Sequence, residues 1–480
     1  MSEPSDPAAL TLDPETMRRL GYRVIDLLVE HHETLAEKPV VRAPSRAELE
    51  ARLREAPPEQ SRDPFAVLQR AHDAVLGDIM IDNHPRFFAF VPGVSNYVGV
   101  MADALAAGFN VITAAWIEAA GPAMVELVTV DWLRQLCGFP EGAGGLFVSG
   151  GTVANLTALA AARQVKLDGR MDGALVYCSD QTHKSNLKNL RLLGFQPEQL
   201  RPVATDAGLR LDPAALAQAV DADRAAGKRP FCVIANAGTT NTGAVDPLPA
   251  LADLCAAQDL WLHVDGAYGA PAVLTERGKA ALRGLERAHS LAIDPHKWLF
   301  QPFEIGGVLV RDANWLPQTF AIEQEYMQDT ATSGGEVNFC DHGIQLTRGF
   351  RALKLWMSIQ VFGLAAFRDA IDRCLDLADH AESLLRDHPR FEIVTPAQLG
   401  VIPFRYAPAD PNGIDSDRLQ QAIVEAAIAE GYVMLGTTRL RAGNVLRLCI
   451  INPRTTRDDL SGTIDHLAKL GTAQAAACAG

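Results

Sequence analysis

Residues 291–300 read "LAIDPHKWLF" and set Lys297 inside one of the more apolar runs of the chain. A lysine is seldom buried without a partner, because its ammonium group is costly to hold in a low dielectric. The run makes sense as an apolar strand whose end presents polar groups. The same pattern recurs in "GGLFVSGG", "GALVYCSD", "FCVIANAGTT" and "LWLHVDGAYG", while "IGGVLVRD" is a further apolar run. Between most of them lie alanine- and leucine-rich helical stretches such as "PLPALADLCAAQD". Apolar strands alternating with helices predict a mostly parallel sheet covered on both faces. Ligands of such sheets bind beyond the carboxyl ends of the strands. The functional groups are therefore sought in "SGGT", "SDQTHK", "AGTTNTGAVD", "DGAYG" and "DPHK".

Composition narrows the class. The 480 residues are 48% hydrophobic and 21% charged, ordinary for a soluble globular protein of about two or three domains. Forty-four basic against 58 acidic residues give a net charge of -14, which argues against nucleic acid or an anionic membrane as partner. The segment "MSEPSDPAALTLDPETMRRLGYRV" lacks the features of a signal peptide. The most apolar long stretch, "GVMADALAAGFNVITAAWIEAAGPAM", is interrupted by Asp103 and Glu118 and reads as buried helix or loop, not as a membrane span. Cys137, Cys178, Cys232, Cys255, Cys340, Cys374, Cys449 and Cys478 show no CxxC spacing. They read as reduced thiols of a cytoplasmic protein, and no metal site is expected.

Three regions are expected. Residues 1–85 form a helical arm, in which Met17, Leu20, Val24, Leu27 and Leu28 share a helix face that needs a surface to cover. Residues 86–365 hold the main sheet. A long helix, "RALKLWMSIQVFGLAAFRDAIDRCLDLADHAESLLRD", leads into residues 366–480, which read strand, strand, helix, strand, helix, a small α+β domain.

Five strand ends deliver a Gly-Gly-Thr opening a helix, a histidine, two threonines, an aspartate and a lysine. Singly, each has an ordinary reading. Thr152 could cap a helix, and Gly151 beside it could equally free backbone N–H groups for a phosphate. His183 could be a satisfied polar side chain, Thr239 and Thr240 could close a turn, Asp265 could cap a segment, and Lys297 could reach solvent along its stem. The set is more specific. A desolvated lysine suits Schiff-base chemistry with an aldehyde, and an acid at the same sheet edge suits a pyridinium nitrogen. Pyridoxal 5'-phosphate (PLP) requires that pairing, with its phosphate anchored at a helix start.

"SDQTHKSN", "NAGTTNTGAVDP", "HVDGAYGAPAV" and "DPHKWLF" resemble the motifs of the PLP-dependent amino-acid decarboxylases that include aromatic-L-amino-acid, histidine and glutamate decarboxylases. "HPRFFAFVPGVSNYVGVMADALAAGFN", "GPAMVELVTVDWL" and "GFRALKLWMSIQVFG" match that family in pattern too, so the resemblance runs from about Met17 to Thr456. It implies fold type I, the aspartate-aminotransferase-like α/β architecture with a seven-stranded sheet, and a homodimer with active sites at the subunit interface. It implies that Lys297 carries the internal aldimine and that Asp265 pairs with the pyridine nitrogen. Ala267 and His183 would lie on opposite ring faces. Gly151, Thr152 and His296 would contact the phosphate with Asp294 close by, and Thr240 and Asp246 would lie near the cofactor. The implied reaction is decarboxylation of an L-amino acid to the amine and CO2 through a quinonoid intermediate.

One position departs from the family pattern. Alignment through "QLTRGFRALKLW" puts Phe339 where a loop tyrosine donates the proton that completes ordinary decarboxylation, and phenylalanine has no proton to give. The resemblance ties phenylalanine there to an oxygen-dependent outcome yielding aldehyde, ammonia and hydrogen peroxide. Tyr326, His183, His342 or a water remain alternative donors. For the substrate, Phe90, Pro92 and Trp116, with Phe87 and Phe88, suggest aromatic walls. Gly93 stands where a small hydroxyl residue is frequent in the family. Arg447 reads either as a carboxylate anchor or as a structural ion pair.

Overall fold

The computed structural model describes residues 10–322, 335–441 and 443–479. The main sheet is built from β1 (Gly144–Val148), β2 (Ala174–Ser179), β3 (Leu200–Val203), β4 (Arg229–Asn236), β5 (Trp261–Asp265), β6 (Ser290–Ile293) and β7 (Gly306–Val310). Their order is β1-β7-β6-β5-β4-β2-β3. The pairs from β6 through β5, β4 and β2 to β3 are parallel, and β7 runs antiparallel to both β6 and β1. β1 therefore points the same way as the parallel set, and the carboxyl ends of β1, β2, β4, β5 and β6 open on one edge. Every position of β2, β5 and β6 is buried, as expected of strands covered by helices on both faces.

The helix Gly151–Leu167 crosses one face of this sheet, with Ala154, Ala158, Ala161 and Ala162 fully buried. These small side chains let it lie close to β5, β6 and β7. On the other face, a large core joins Tyr177, Val233, Leu262, Val264 and Leu291 to helical residues such as Leu133, Leu251 and Leu355.

β3 escaped the sequence reading. Its "LRPV" is a sheet-edge strand with Arg201 and Pro202 exposed, and edges tolerate proline and charge that a central strand would not. The carboxy-terminal region holds a four-stranded antiparallel sheet of β8 (Phe391–Ile393), β9 (Val401–Tyr406), β10 (Gly436–Leu440) and β11 (Gly443–Cys449), in the order β10-β11-β9-β8. β10, "GTTRL", was likewise missed, since only Leu440 of it is buried. The long helix Ala352–Asp387 breaks at Gly363, where φ is 72° and ψ 155°. Glycine adopts such a φ without a Cβ penalty. Past the break, Leu377, Ala378, Ala381 and Leu385 pack on the second sheet and on the helices Ser416–Glu430 and Arg457–Ala479.

The arm begins with the helix Pro14–Glu33, capped by the Asp13 carboxylate, which accepts from the N–H groups of Glu15 and Thr16 at 3.0 Å. Only Leu27 of this helix is buried. Met17 and Val24 of the predicted stripe, and Tyr22 and Val29 beside it, remain exposed.

Candidate active site

At the open sheet edge lies a cavity of about 340 Å³, walled by residues that follow β1, β2, β4, β5 and β6. Lys297, Asp265, His183, Gly151, Thr152, Thr240, Ala267, Asp294 and His296, each singled out from sequence, all line it.

The helix starting at Gly151 supplies one end. Its N-cap is Gly150, with no side-chain cap, so Thr152 lies inside the helix and does not cap it. Carbonyl Gly150 accepts from the N–H groups of Val153 and Ala154 at 2.9 and 3.0 Å. The N–H groups of Gly151 and Thr152 are first-turn donors with no carbonyl earlier in the helix to take them, and the positive end of the helix dipole lies here. A Cβ on Gly151 would sit 2.7 Å from Oδ2 of Asp294 and 3.1 Å from Cβ of Ala267. The glycine is what lets backbone, acid and alanine converge.

His296 is buried, and its Nδ1 accepts from the N–H of Ile305 at 3.1 Å. The proton of the neutral ring is then on Nε2, 3.6 Å from Oδ2 of Asp294. Burial, the largest influence, holds this imidazole below its usual pKa, so His296 offers one N–H as a neutral donor. Nζ of Lys297 lies 2.8 Å from the same Asp294 oxygen. The lysine sits beyond the end of β6, and its side chain is 24% exposed against 1% for Asp294. Leu299 and Phe300, not Lys297, carry the burial of that segment.

Asp265 ends β5. Its Oδ2 accepts from Nδ2 of Asn155 at 3.0 Å and from Nδ2 of Asn186 at 2.7 Å, and its Oδ1 from the N–H of Ala267 at 3.2 Å. Three N–H donors are the partners a carboxylate takes. His183 caps the helix Lys184–Leu192: its Nδ1 lies 2.7 Å from Oγ of Ser185 and accepts from the Ser185 N–H at 3.3 Å, which leaves Nε2 the ring nitrogen not engaged by Ser185.

Other expected residues are not brought to this wall. Asp246 is buried behind it: its carboxylate accepts from the N–H and Nδ2 of Asn236 at 2.7 and 2.9 Å and from the N–H of Leu211 at 2.7 Å. Burial pushes its pKa up to about 6, and it meets the cavity only through Asn236, which lines it. Phe339 is 1% exposed and packs with Leu146, Val148, Ala292 and Val308, its ring 4.8 Å from Cζ of Arg348. Trp116 packs against the same cluster. Phe90 turns outward at a φ of 51° and is 60% exposed. Pro92 is buried, and Gly93 lies under the ring of Phe303, where a Cβ would come within 2.2 Å of Cζ. Phe303 also sits 4.9 Å from the His296 ring. Tyr326 lies outside the described residues. Arg447 is 4% exposed, with no partner for Nε or Nη2, and it does not line the cavity.

Sequence reasoning missed Asn155 and Asn186. An asparagine inside an alanine-rich helix was the available signal, since its side chain competes for backbone bonds there and needs another employment.

The wall suits PLP. An uncapped helix start would take a phosphate, the Gly150–Gly151 cradle has room only without a Cβ, an acid held by three donors would serve a ring nitrogen, and a lysine amine lines the same cavity.

Comparison with known proteins agrees. Residues 47–407 match the pyridoxal-dependent decarboxylase conserved domain. The chain is 49% identical over 453 residues to an aromatic-L-amino-acid decarboxylase of Bacillus atrophaeus, covering 94% of each. A phenylacetaldehyde synthase of Arabidopsis thaliana is 29% identical, covering 92% of this chain and 93% of the synthase. The crystal structure of Oryza sativa TDC with PLP and tryptamine superposes with a TM-score of 0.90 at 28% identity, covering 98% of this chain and 99% of that one. With its seven-stranded α/β sheet and its lysine–aspartate pair at the sheet edge, the chain belongs to the pyridoxal-dependent decarboxylase family, has fold type I, and is a PLP-dependent lyase acting on an amino acid.

Proposed function

We propose that the chain decarboxylates an aromatic L-amino acid to the corresponding amine and CO2. The observation that carries the aromatic reading is the 49% identity, across nearly the whole length, to the Bacillus atrophaeus aromatic-L-amino-acid decarboxylase. The aldehyde-forming alternative has weaker support, from a synthase only 29% identical.

Bound PLP supplies an aldehyde carbon that links to an amine and a protonated ring that takes up the electron pair released as CO2 departs. The chain's own residues do the rest. The N–H groups of Gly151 and Thr152, with Nε2 of His296, hold the phosphate, and Asp294 orients His296 and Lys297 together. Lys297 would supply the amine partner of the cofactor's aldehyde carbon. Asp265 would partner the ring nitrogen, Thr240 would bond the ring hydroxyl, and Ala267 and His183 would hold the ring between them, all four lining the one cavity. Nε2 of His183, the ring nitrogen that Ser185 leaves free, would help orient the substrate carboxylate.

The reading includes a homodimer of a cytoplasmic protein. Residues 1–85 form the arm that packs on the partner, residues 86–365 the cofactor domain, and residues 366–480 the small domain. The exposed apolar side chains of the first helix support this, as do Phe90, Phe109, Ile117 and Phe303, exposed by 60, 79, 72 and 59%; apolar surface of this kind marks association. Phe90, exposed by 60%, and the partly buried Trp116 then act where the two subunits meet, with Pro92, Gly93 and Phe339 packed behind that surface. The seven described free cysteines fit a reducing compartment, and no helix among the described residues is long and apolar enough to cross a membrane.

The test is a panel of L-amino acids with CO2, amine and hydrogen peroxide measured together, on protein first sized by sedimentation. Amine and CO2 in equal amounts from aromatic substrates are expected from a dimer. Peroxide in step with CO2 and no amine would overturn the reading. Substrate use confined to acidic amino acids would overturn the aromatic part alone.

A further inference from the structure

Behind Asp265 the polar side chains form one continuous line. Nε1 of Trp261 lies 2.8 Å from Oγ of Ser290, which lies 2.9 Å from Nδ1 of His263. Nε2 of His263 is 2.8 Å from Oδ1 of Asn155, whose Nδ2 reaches Oδ2 of Asp265 at 3.0 Å. Trp261, His263, Ser290 and Asn155 are each at most 1% exposed. Trp261, His263 and Asp265 alternate along β5 and so share one face of the strand.

The two ends fix the direction of every bond between them. An indole N–H can only donate, and an ionised carboxylate can only accept. Ser290 must therefore accept from Trp261, and because Asn155 turns its N–H to the carboxylate, its Oδ1 must accept from Nε2 of His263, so that Ser290 donates its own hydrogen to the other ring nitrogen, Nδ1. That makes Nδ1 an acceptor and puts the ring proton on Nε2, which donates to Oδ1 of Asn155. The amide is then held with its N–H side towards Asp265. Burial, the largest influence, holds the His263 imidazole well below its usual pKa against the pull of Asp265, consistent with a neutral ring carrying one proton. Bonds aligned head to tail polarise one another.

We propose that His263, with Ser290 and Trp261 behind it, is a positioning residue that locks Asn155 as a donor to Asp265 and thereby keeps that carboxylate ionised and aimed at the cofactor's ring nitrogen. This rests on the role given to Asp265 above. Without a donor at position 263, Asn155 loses the partner of its oxygen and is free to turn that oxygen towards the carboxylate. Ring protonation, not substrate contact, is what would suffer.

The experiment uses holoenzyme loaded with cofactor isotopically labelled at the ring nitrogen, whose NMR shift reports protonation as pH is raised. Wild type is expected to keep the ring proton throughout the range in which it stays folded. H263L is expected to lose it about one pH unit sooner, to bind PLP about tenfold more weakly, and to lose kcat with KM little changed. H263Q, which can still offer an N–H to Asn155, is expected to recover most of the loss. S290A, a small deletion that leaves the ring in place, should move the shift in the same direction by less, and it decides the matter if H263L yields no holoenzyme. Wild-type ring-nitrogen titration and affinity in S290A and in folded H263L would overturn the proposal. D265N separates the two readings. If it too keeps the ring protonated, the role of Asp265 is wrong; if it alone loses the proton, only the relay is wrong.

Discussion

Replacing Gly151 with alanine tests whether the helix start and Asp294 form one cradle. The added methyl would lie 2.7 Å from Oδ2 of Asp294, well inside contact distance, so something has to shift. Asp294 has no easy retreat. The same oxygen holds Lys297 at 2.8 Å, and the other faces Gly306 so closely that a Cβ there would sit 2.8 Å from it. Ala267 closes the remaining side, 3.1 Å from the new methyl. Either the first helical turn moves away from the cavity or Asp294 releases Lys297, and both outcomes spoil a cofactor contact. Overpacking of this kind costs about 1–3 kcal/mol, which weakens PLP binding by roughly 5- to 150-fold if it falls mainly on the holo geometry. The assay is titration of the apo chain with PLP, followed by tryptophan fluorescence and by the visible band of the bound cofactor. Gly108→Ala is the control, because a methyl there meets nothing within 4 Å. PLP affinity unchanged in Gly151→Ala would refute the cradle.

Two further outcomes are expected. His84 is fully buried between Lys38 and Arg86, with Nε2 3.1 Å from the Lys38 carbonyl and Nδ1 accepting from the N–H of Arg86 at 2.9 Å. Burial first, then the charge of Arg86, lowers its pKa from 6.5 to about 4. The native state therefore binds fewer protons than the unfolded one between those values. The stability this gives is complete above the unfolded value and is lost as pH falls towards the folded one, about 2 kcal/mol by roughly pH 5. Urea melts of wild type and His84→Gln at neutral and mildly acid pH check this, and an equal acid loss in both would clear His84. Phe339→Ala should cost roughly 3–5 kcal/mol in the same melts, because a fully buried ring is removed. A loss below about 1 kcal/mol would show that Phe339 is not held in the core cluster.

The legible part of the fold was the part with a strong physical pattern. β1, β2, β4, β5, β6 and β7 are short apolar runs because helices cover both faces of the sheet, and that burial is written into the residues themselves. β3 and β10 are edge strands, and an edge is defined by a missing neighbour, which local composition does not record. The break at Gly363 was hidden for a related reason. "QVFGLAA" keeps its apolar spacing on both sides, and a glycine in a helical pattern is compatible with a straight helix as well as a kink.

The site divides along the same line. Residues that follow strand ends were readable because parallel-sheet topology collects those ends at one edge, wherever they stand in sequence. What stands behind them was not read, since Asn155 and Asn186 reach Asp265 across 110 and 79 positions. Yet one clue was local. "WLHVD" puts Trp261, His263 and Asp265 on one face of a strand whose apolar flanks and parallel neighbours demand burial. Polar groups on a buried face cannot turn to water, and leaving each unpaired would cost about 1–3 kcal/mol. They have to bond to one another or to whatever packs above them. The strand that supplies the cofactor's acid therefore already specified that the acid would be held from behind, and only the identity of the intervening amide required the fold.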